Sequence, residues 1–178
     1  YHHIFVVPAG GGTARQLTFG NYDDVQPSGS GGGGSLEWTP DSRTILFSAV
    51  RTEDAEYQLA LRESDIHAVD IAGGDVRQLT RRKGPDSRPV VSPDGSKVAY
   101  VGYDWSTDTW TDSKIYVMNV DGSNGRLISA EWDRSPDELF WTADGSALHF
   151  TAQSEGSENL YRLALTGANA GRVEQVTK

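Results

Sequence analysis

Arg51, Glu53, Asp54 and Glu56 set one cation among three carboxylates within six residues. That composition suits recognition of a peptide terminus, and it is equally the composition of a solvated loop. Trp105 and Trp110 lie in the stretch "YDWSTDTWTDS". Two roles are open to them: aromatic anchors for a peptide or a neighbouring domain, or lids over the top of a core. Asp104, Asp108 and Asp112 recur every four residues. A calcium loop needs oxygen ligands at alternate residues and a glycine at its sharp turn, so these read as a solvated acidic loop, as do Asp23 and Asp24. No metal set and no cofactor site is expected. No serine stands in Gly-x-Ser-x-Gly, so there is no nucleophile elbow, and catalytic residues are expected to be absent from this chain. The four histidines are scattered, with His2 and His3 near the start and His67 and His149 in strand-like runs, where packing is the default.

Composition narrows the function classes. The chain has 178 residues, 37% hydrophobic and 23% charged, with a formal net charge of -9. Affinity for nucleic acid rests on Lys and Arg neutralising phosphates, so a nucleic-acid partner is not expected. Cysteine is absent, which excludes disulfides and thiolate metal centres and leaves the compartment open between bacterial cytoplasm and periplasm. No apolar run approaches the roughly 20 residues that span a bilayer, so no membrane role is expected. The opening "YHHIFVV" runs directly into a strand-like segment without an initiator Met and reads as a processed or truncated start.

The elements that must position these residues repeat. "IFVVPAGGGTARQLT", "DIHAVDIAGGDVRQLT", "KIYVMNVDGSNGRLIS" and "NLYRLALTGANAGRVEQVT" each read as an apolar strand, a Gly-rich turn and a short strand ending in Leu-Thr or a near equivalent. Between them stand "LEWTPDSRTILFSAV", "RPVVSPDGSKVAYVG" and "ELFWTADGSALHFTA", each strand, turn, strand. Pro fixes φ at the first corner, Asp bonds its own backbone and Gly accepts positive φ. Asp41, Asp94 and Asp144 mark these turns, and Thr18, Thr80, Ser129 and Thr177 end the short strands. A period near 50 residues with four strands per unit is the signature of propeller blades. The expected fold is an all-β propeller of four-stranded antiparallel blades, with two strands in the first segment and four in each of the next three units. That makes fourteen strands, or three and a half blades, and the end blades would each expose an apolar face.

The expected organisation is a half blade over residues 1–27, a Gly/Ser spacer over 28–35, and blades over 36–80, 81–129 and 130–178. Thr18 to Asp41 is 23 residues, against 14 from Thr80 to Asp94 and 15 from Ser129 to Asp144. Removing Ser28 to Ser35 restores 15, so "SGSGGGGS" behaves as an insertion and a flexible coil. It reads either as a natural loop or as an engineered linker. A phosphate-cradling loop would need a following Lys-Ser/Thr and a helix. The Asp turns and Gly-rich turns are short, whereas the segments holding Arg51 and Trp105, together with "QSEGSE" and the connections between blades, are long and varied. Binding residues are expected on that long-loop group.

"WTPDSRTILFSA", "VSPDGSKVAYVG" and "KIYVMNVDGSNGRLIS" resemble the repeats of TolB-type propellers. The longer run "RQLTRRKGPDSRPVVSPDGSKVAYVGYD" more closely resembles the propeller of prolyl-oligopeptidase-family serine peptidases, of the acylaminoacyl-peptidase or dipeptidyl-peptidase kind. That resemblance implies a propeller capping an α/β-hydrolase domain, which holds the catalytic triad, and limiting access of large peptide substrates. The implied partners are that hydrolase domain or a second copy of the chain. The paired-Glu motif with which a family dipeptidyl-peptidase holds its substrate amine has no counterpart here. A TolB-like periplasmic scaffold for protein partners and an engineered, self-assembling half-propeller are the alternative readings.

Overall fold

The computed structural model describes residues 1–24, 36–51, 63–108 and 110–177. The Gly/Ser spacer and the candidate residues Glu53 and Glu56 lie outside them. Two compact units are present, Tyr1–Pro89 and Val90–Lys178, and each is described by itself.

The described residues are all β. A two-stranded sheet of β1 (Phe5–Val6) and β2 (Arg15–Gln16) comes first. Then follow β3 (Glu37–Trp38), β4 (Thr44–Ala49), β5 (Asp65–Asp70) and β6 (Arg77–Gln78), hydrogen-bonded in sequence order. β7 (Asp86–Val91), β8 (Lys97–Gly102), β9 (Lys114–Asn119) and β10 (Arg126–Leu127) form a second four-stranded sheet. β11 (Leu139–Trp141), β12 (Ala147–Ser154), β13 (Ser157–Ala164) and β14 (Val173–Gln175) form a third. Three full antiparallel meanders and one half are the three and a half blades of a partial propeller.

The Leu-Thr endings have a physical purpose. The hydroxyls of Thr18, Thr80, Ser129 and Thr177 accept the backbone N–H groups of Ile4, Ile66, Ile115 and Leu160 at 2.9, 2.9, 2.8 and 2.8 Å. Next to each, the amides of Leu17, Leu79, Ile128 and Val176 donate to the carbonyls of the same four residues at 2.8, 2.8, 2.9 and 2.8 Å. The short outer strand thereby clasps the start of the strand before it, and a donor that would be buried without a partner is satisfied. Thr18, Thr80 and Ser129 are buried, which makes each hydroxyl hard to replace.

A second device closes the Asp hairpins. Thr39, Ser92 and Thr142 donate their hydroxyl protons to Asp41, Asp94 and Asp144 at 2.7, 2.6 and 2.7 Å. The same carboxylates accept the amides of Arg43, Ser96 and Ser146. Hydroxyl and then amide hydrogen bonds hold Asp94 and Asp144 down at about 2 and lower Asp41 in the same way. The turn also needs one residue at positive φ. Gly95 and Gly145 supply it at 72° and 68°, whereas Ser42 takes it at 58°.

The cores are the inward rows of the strands. In the first unit Ile4, Leu17, Ile45, Phe47, Ala49 and Val69 pack together. In the second, Val101, Ile115, Leu139, Leu148, Phe150 and Leu163 belong to one cluster. One expectation changes: "QSEGSE" is a tight hairpin turn and no long loop. β12 and β13 pair up to Ser154 and Ser157, and Glu155 and Gly156 turn the chain at φ 53° and 81°. Two consecutive positive-φ residues match the twist of the flanking strands, so the strands lengthen to eight residues.

Ser129→Ala strands the buried Ile115 amide and is expected to cost about 1–3 kcal/mol in urea unfolding, with Ser129→Thr restoring most of it. Ser42→Gly relieves a left-handed L-residue against a smaller entropic loss and is expected to stabilise by about 0.5–1 kcal/mol.

Candidate functional site

In the first unit the structure gathers charge around Asp24, which has no exposed surface. Its carboxylate accepts from the Arg51 guanidinium and lies 3.0 Å from His3 Nδ1. Arg51 also donates to the Phe19 carbonyl at 3.3 Å and stacks with its guanidinium carbon 4.6 Å from the centre of the Tyr22 ring. Arg51, a sequence candidate for peptide recognition, is therefore committed to a buried partner. The alternation of sequence signals could not show this, because Asp24 is 27 residues away.

The arrangement repeats. Asp24 follows Thr18 by six residues, and Asp86 follows Thr80 by six. Each amide donates to a carbonyl two residues before the clasped isoleucine, Asp24 to His2 at 2.8 Å and Asp86 to Ser64 at 2.7 Å. Asp86 is also fully buried, and Arg82 is its ion-pair partner. In the second unit Ser135 holds the corresponding place, accepting the Ser113 amide at 3.1 Å and donating to Asp112 at 3.2 Å. A buried carboxylate recruits an arginine because an unpaired charge in the interior is costly; a serine needs none. Asp23 and Asp24, read as solvated from sequence, thus part company: Asp24 is interior, and Asp23 bonds the His2 amide at 2.7 Å, which lowers its pKa.

β5 carries two groups pushed in opposite directions. Burial raises Asp65 to about 6, against hydrogen bonds from Thr80 and Gln78 that favour the anion, with Asp86 and Glu63 raising it further. Burial lowers His67 to about 4, with the backbone bond to Asp65 opposing it, Arg51 adding to the lowering and Asp24 opposing it. His67 stacks on Phe47 with ring centres 5.5 Å apart, so it is a core aromatic with a polar edge.

In the second unit Trp105 and Trp110 are 41% and 81% exposed. Trp110 therefore does not cover a core. The loop is organised by its own polar groups. Ser106 donates to Asp108 at 2.6 Å and accepts the Asp108 amide at 3.0 Å, while Asp112 takes the Ser135 hydroxyl at the base. Among the described residues no group of three or more His, Asp or Glu side chains is placed to hold a metal ion. Sequence reasoning passed over Trp132 and Arg134. Trp132 packs edge-on against Phe150 and Tyr161 at 5.3 and 4.7 Å. Arg134 lies 5.0 Å over its ring and donates to Ser154 and Tyr161 at 3.1 and 3.3 Å. The Trp and Arg two residues apart in "EWDRS" were the local signal.

No family model matches the chain. It is 31% identical over 147 residues to a dipeptidyl-peptidase 5 of Arthroderma otae, covering 75% of this chain and 20% of that protein. Among solved structures it overlays a TolB of Agrobacterium tumefaciens with a TM-score of 0.65 at 22% identity, over 97% of this chain and 55% of the other. It also overlays a puromycin hydrolase with a TM-score of 0.57 at 20% identity, over 96% of this chain and 26% of the other. The chain is a β-propeller segment, similar to part of the dipeptidyl-peptidases 5. It spans about a fifth of the length of the dipeptidyl-peptidases it matches.

The two titrations of this propeller segment oppose each other. The fold keeps a proton on Asp65 that the unfolded chain, at 3.8, releases, so this group's contribution falls as pH rises from about 4 to 6. The unfolded chain protonates His67 at 6.5 where the fold refuses, so that contribution rises from about 4 to 6.5. Relative to the parent chain, Asp65→Asn is expected to gain stability with pH across this window, and His67→Phe to lose it, each by on the order of 1–2 kcal/mol after solvent screening. Urea unfolding at pH 4, 5, 6 and 6.5 measures both slopes.

Proposed function

We propose that the segment is the non-catalytic, gating and substrate-selecting part of a prolyl-oligopeptidase-like serine peptidase. The single observation carrying this reading is the 31% identity to dipeptidyl-peptidase 5 across 75% of the chain. The sequence adds that Gly-x-Ser-x-Gly is missing, so hydrolysis would belong to an α/β-hydrolase domain, the partner this reading requires. The segment's own chemistry fits a gate. Its charged groups Asp24, Arg51, Asp86 and Arg82 are tied to one another, which suits a rigid frame. In the second unit Trp105 and Trp110 are exposed, and large aromatic side chains carry much of the binding energy at interfaces. Arg51 supports the site indirectly in this reading, holding the chain just before the segment that contains Glu53 and Glu56. Those two residues remain candidates for contact with a peptide terminus.

The test uses the full-length parent protein and the isolated 178-residue chain. The chain alone is expected to release no product from dipeptidyl or acyl-aminoacyl chromogenic substrates, while the parent turns them over. In the parent, Trp105→Ala with Trp110→Ala is expected to raise KM for peptide substrates about tenfold with kcat little changed. Turnover by the isolated chain would overturn the non-catalytic assignment. A parent without peptidase activity that binds an envelope protein would favour the TolB-like scaffold.

A further inference from the structure

Three connections of the second unit meet at one end of its sheets. β8 and β9 pair from Lys97 opposite Asn119 to Gly102 opposite Lys114, so residues 103–113 leave from the Gly102 end. β12 and β13 pair up to Ser154 opposite Ser157. Hydrogen bonds tie both connections to the segment that joins β10 to β11. Ser135 accepts the Ser113 amide at 3.1 Å and donates to Asp112 at 3.2 Å. Arg134 donates to Ser154 at 3.1 Å. Trp105 and Trp110 stand exposed on the first of these connections.

Charge is divided unevenly between the two ends of these sheets. Residues 103–114, 130–138 and 153–158 hold nine carboxylates against two cations, Lys114 and Arg134. Asp104, Asp108, Glu131, Glu138, Glu155 and Glu158 are exposed. Both cations face inward tasks. Lys114 donates to the Trp132 carbonyl. Arg134 lies over the Trp132 ring, pairs with Asp133 at 3.2 Å and donates to Ser154 and Tyr161. The turns at the other end balance, with Asp94, Asp121 and Asp144 against Lys97, Arg126 and Arg172. Those three carboxylates are used inside their own turns, where they accept the amides of Ser96, Ser123 and Ser146.

We infer that the exposed tryptophans dock a polypeptide segment rich in Lys and Arg, and that this end of the second unit selects it by charge. Trp110 offers the ring surface. An ammonium or guanidinium is drawn to an indole face by the ring quadrupole, and the aliphatic stem of Lys or Arg covers apolar ring atoms. The carboxylates around it concentrate cationic groups and repel anionic ones. An indole alone suits a neutral apolar segment equally well; the charge imbalance decides the occupant. The inference rests on the reading of Trp105 and Trp110 as peptide anchors and is independent of where hydrolysis takes place.

Fluorescent peptides of equal length, blocked at both termini so that only side chains carry charge, are titrated into the 178-residue chain and followed by anisotropy. One carries Lys and Arg among Gly and Ser, one carries Glu in their place, and one is Gly and Ser alone. Saturable one-to-one binding is expected for the cationic peptide, weakening as salt rises, and no saturation for the other two. Trp110→Ala is expected to weaken it about threefold. Glu131→Gln and Glu158→Gln, each alone, are expected to weaken it about twofold, whereas Glu174→Gln, which removes the same charge from β14, changes it little. All four residues are exposed, and an unchanged urea midpoint verifies that each variant keeps the fold. Absence of saturable binding, equal binding of the three peptides, or equal weakening by Glu174→Gln would overturn the proposal. Binding by the isolated chain that is lost in the full-length parent would assign the surface to the hydrolase domain and overturn it too. Turnover plays no part in these readouts, so failure here leaves the peptidase reading to its own test.

Discussion

A single hydroxyl-to-amide hydrogen bond, repeated four times, sets the geometry of this protein. Strands of two or three residues such as β2, β6, β10 and β14 have too few ladder bonds to hold a register by themselves. The side chain of Thr18, Thr80, Ser129 or Thr177 supplies one more bond to the strand before it, and the first three do so in the buried interior. A one-residue slip would exchange the buried and exposed faces of a strand. The clasp therefore fixes how β6, β10 and β14 lie against β5, β9 and β13, while the longer ladders with β4, β8 and β12 hold their own register. The three stacked pairs of rings stand directly opposite one another in those longer ladders.

The buried charges depend on the same frame. Asp24 and Asp86 arrive in the interior because the chain leaves each clasp by the same path and bonds the same upstream carbonyl. Their burial then demands Arg51 and Arg82. Ser135, six residues after Ser129, is only half-buried and meets the Ser113 amide through its hydroxyl, so no charge there calls for an arginine. A frame of this kind costs desolvation and returns specificity of geometry. It suits a module whose loops must present side chains in fixed positions.

The loop from Tyr103 to Ser113 illustrates the division of labour. Its acidic residues are occupied with local structure: Asp108 bonds Ser106, and Asp112 anchors the base through Ser135. Its aromatic residues are displayed. An exposed tryptophan on an anchored loop loses little entropy on binding, which is how such residues become anchors.

Much of the architecture was legible in the sequence, because turn chemistry and repeat period are local. The Asp41, Asp94 and Asp144 turns, the Leu-Thr endings and the count of fourteen strands all rest on residues a few positions apart. "QSEGSE" was misread because hairpin and loop differ there only in whether Glu155 accepts positive φ, which depends on the twist of strands on either side. Arg51 was recognised as chemically capable and its partner was not, since Asp24 lies beyond any local pattern. The stacking of Phe47 on His67 and the opposed titrations of Asp65 and His67 were likewise invisible. By itself the sequence determined the repeat, the turns and the family likeness. Only the tertiary structure decided which charges are buried and which rings are paired, because burial and pairing are set by strands brought together from distant parts of the chain.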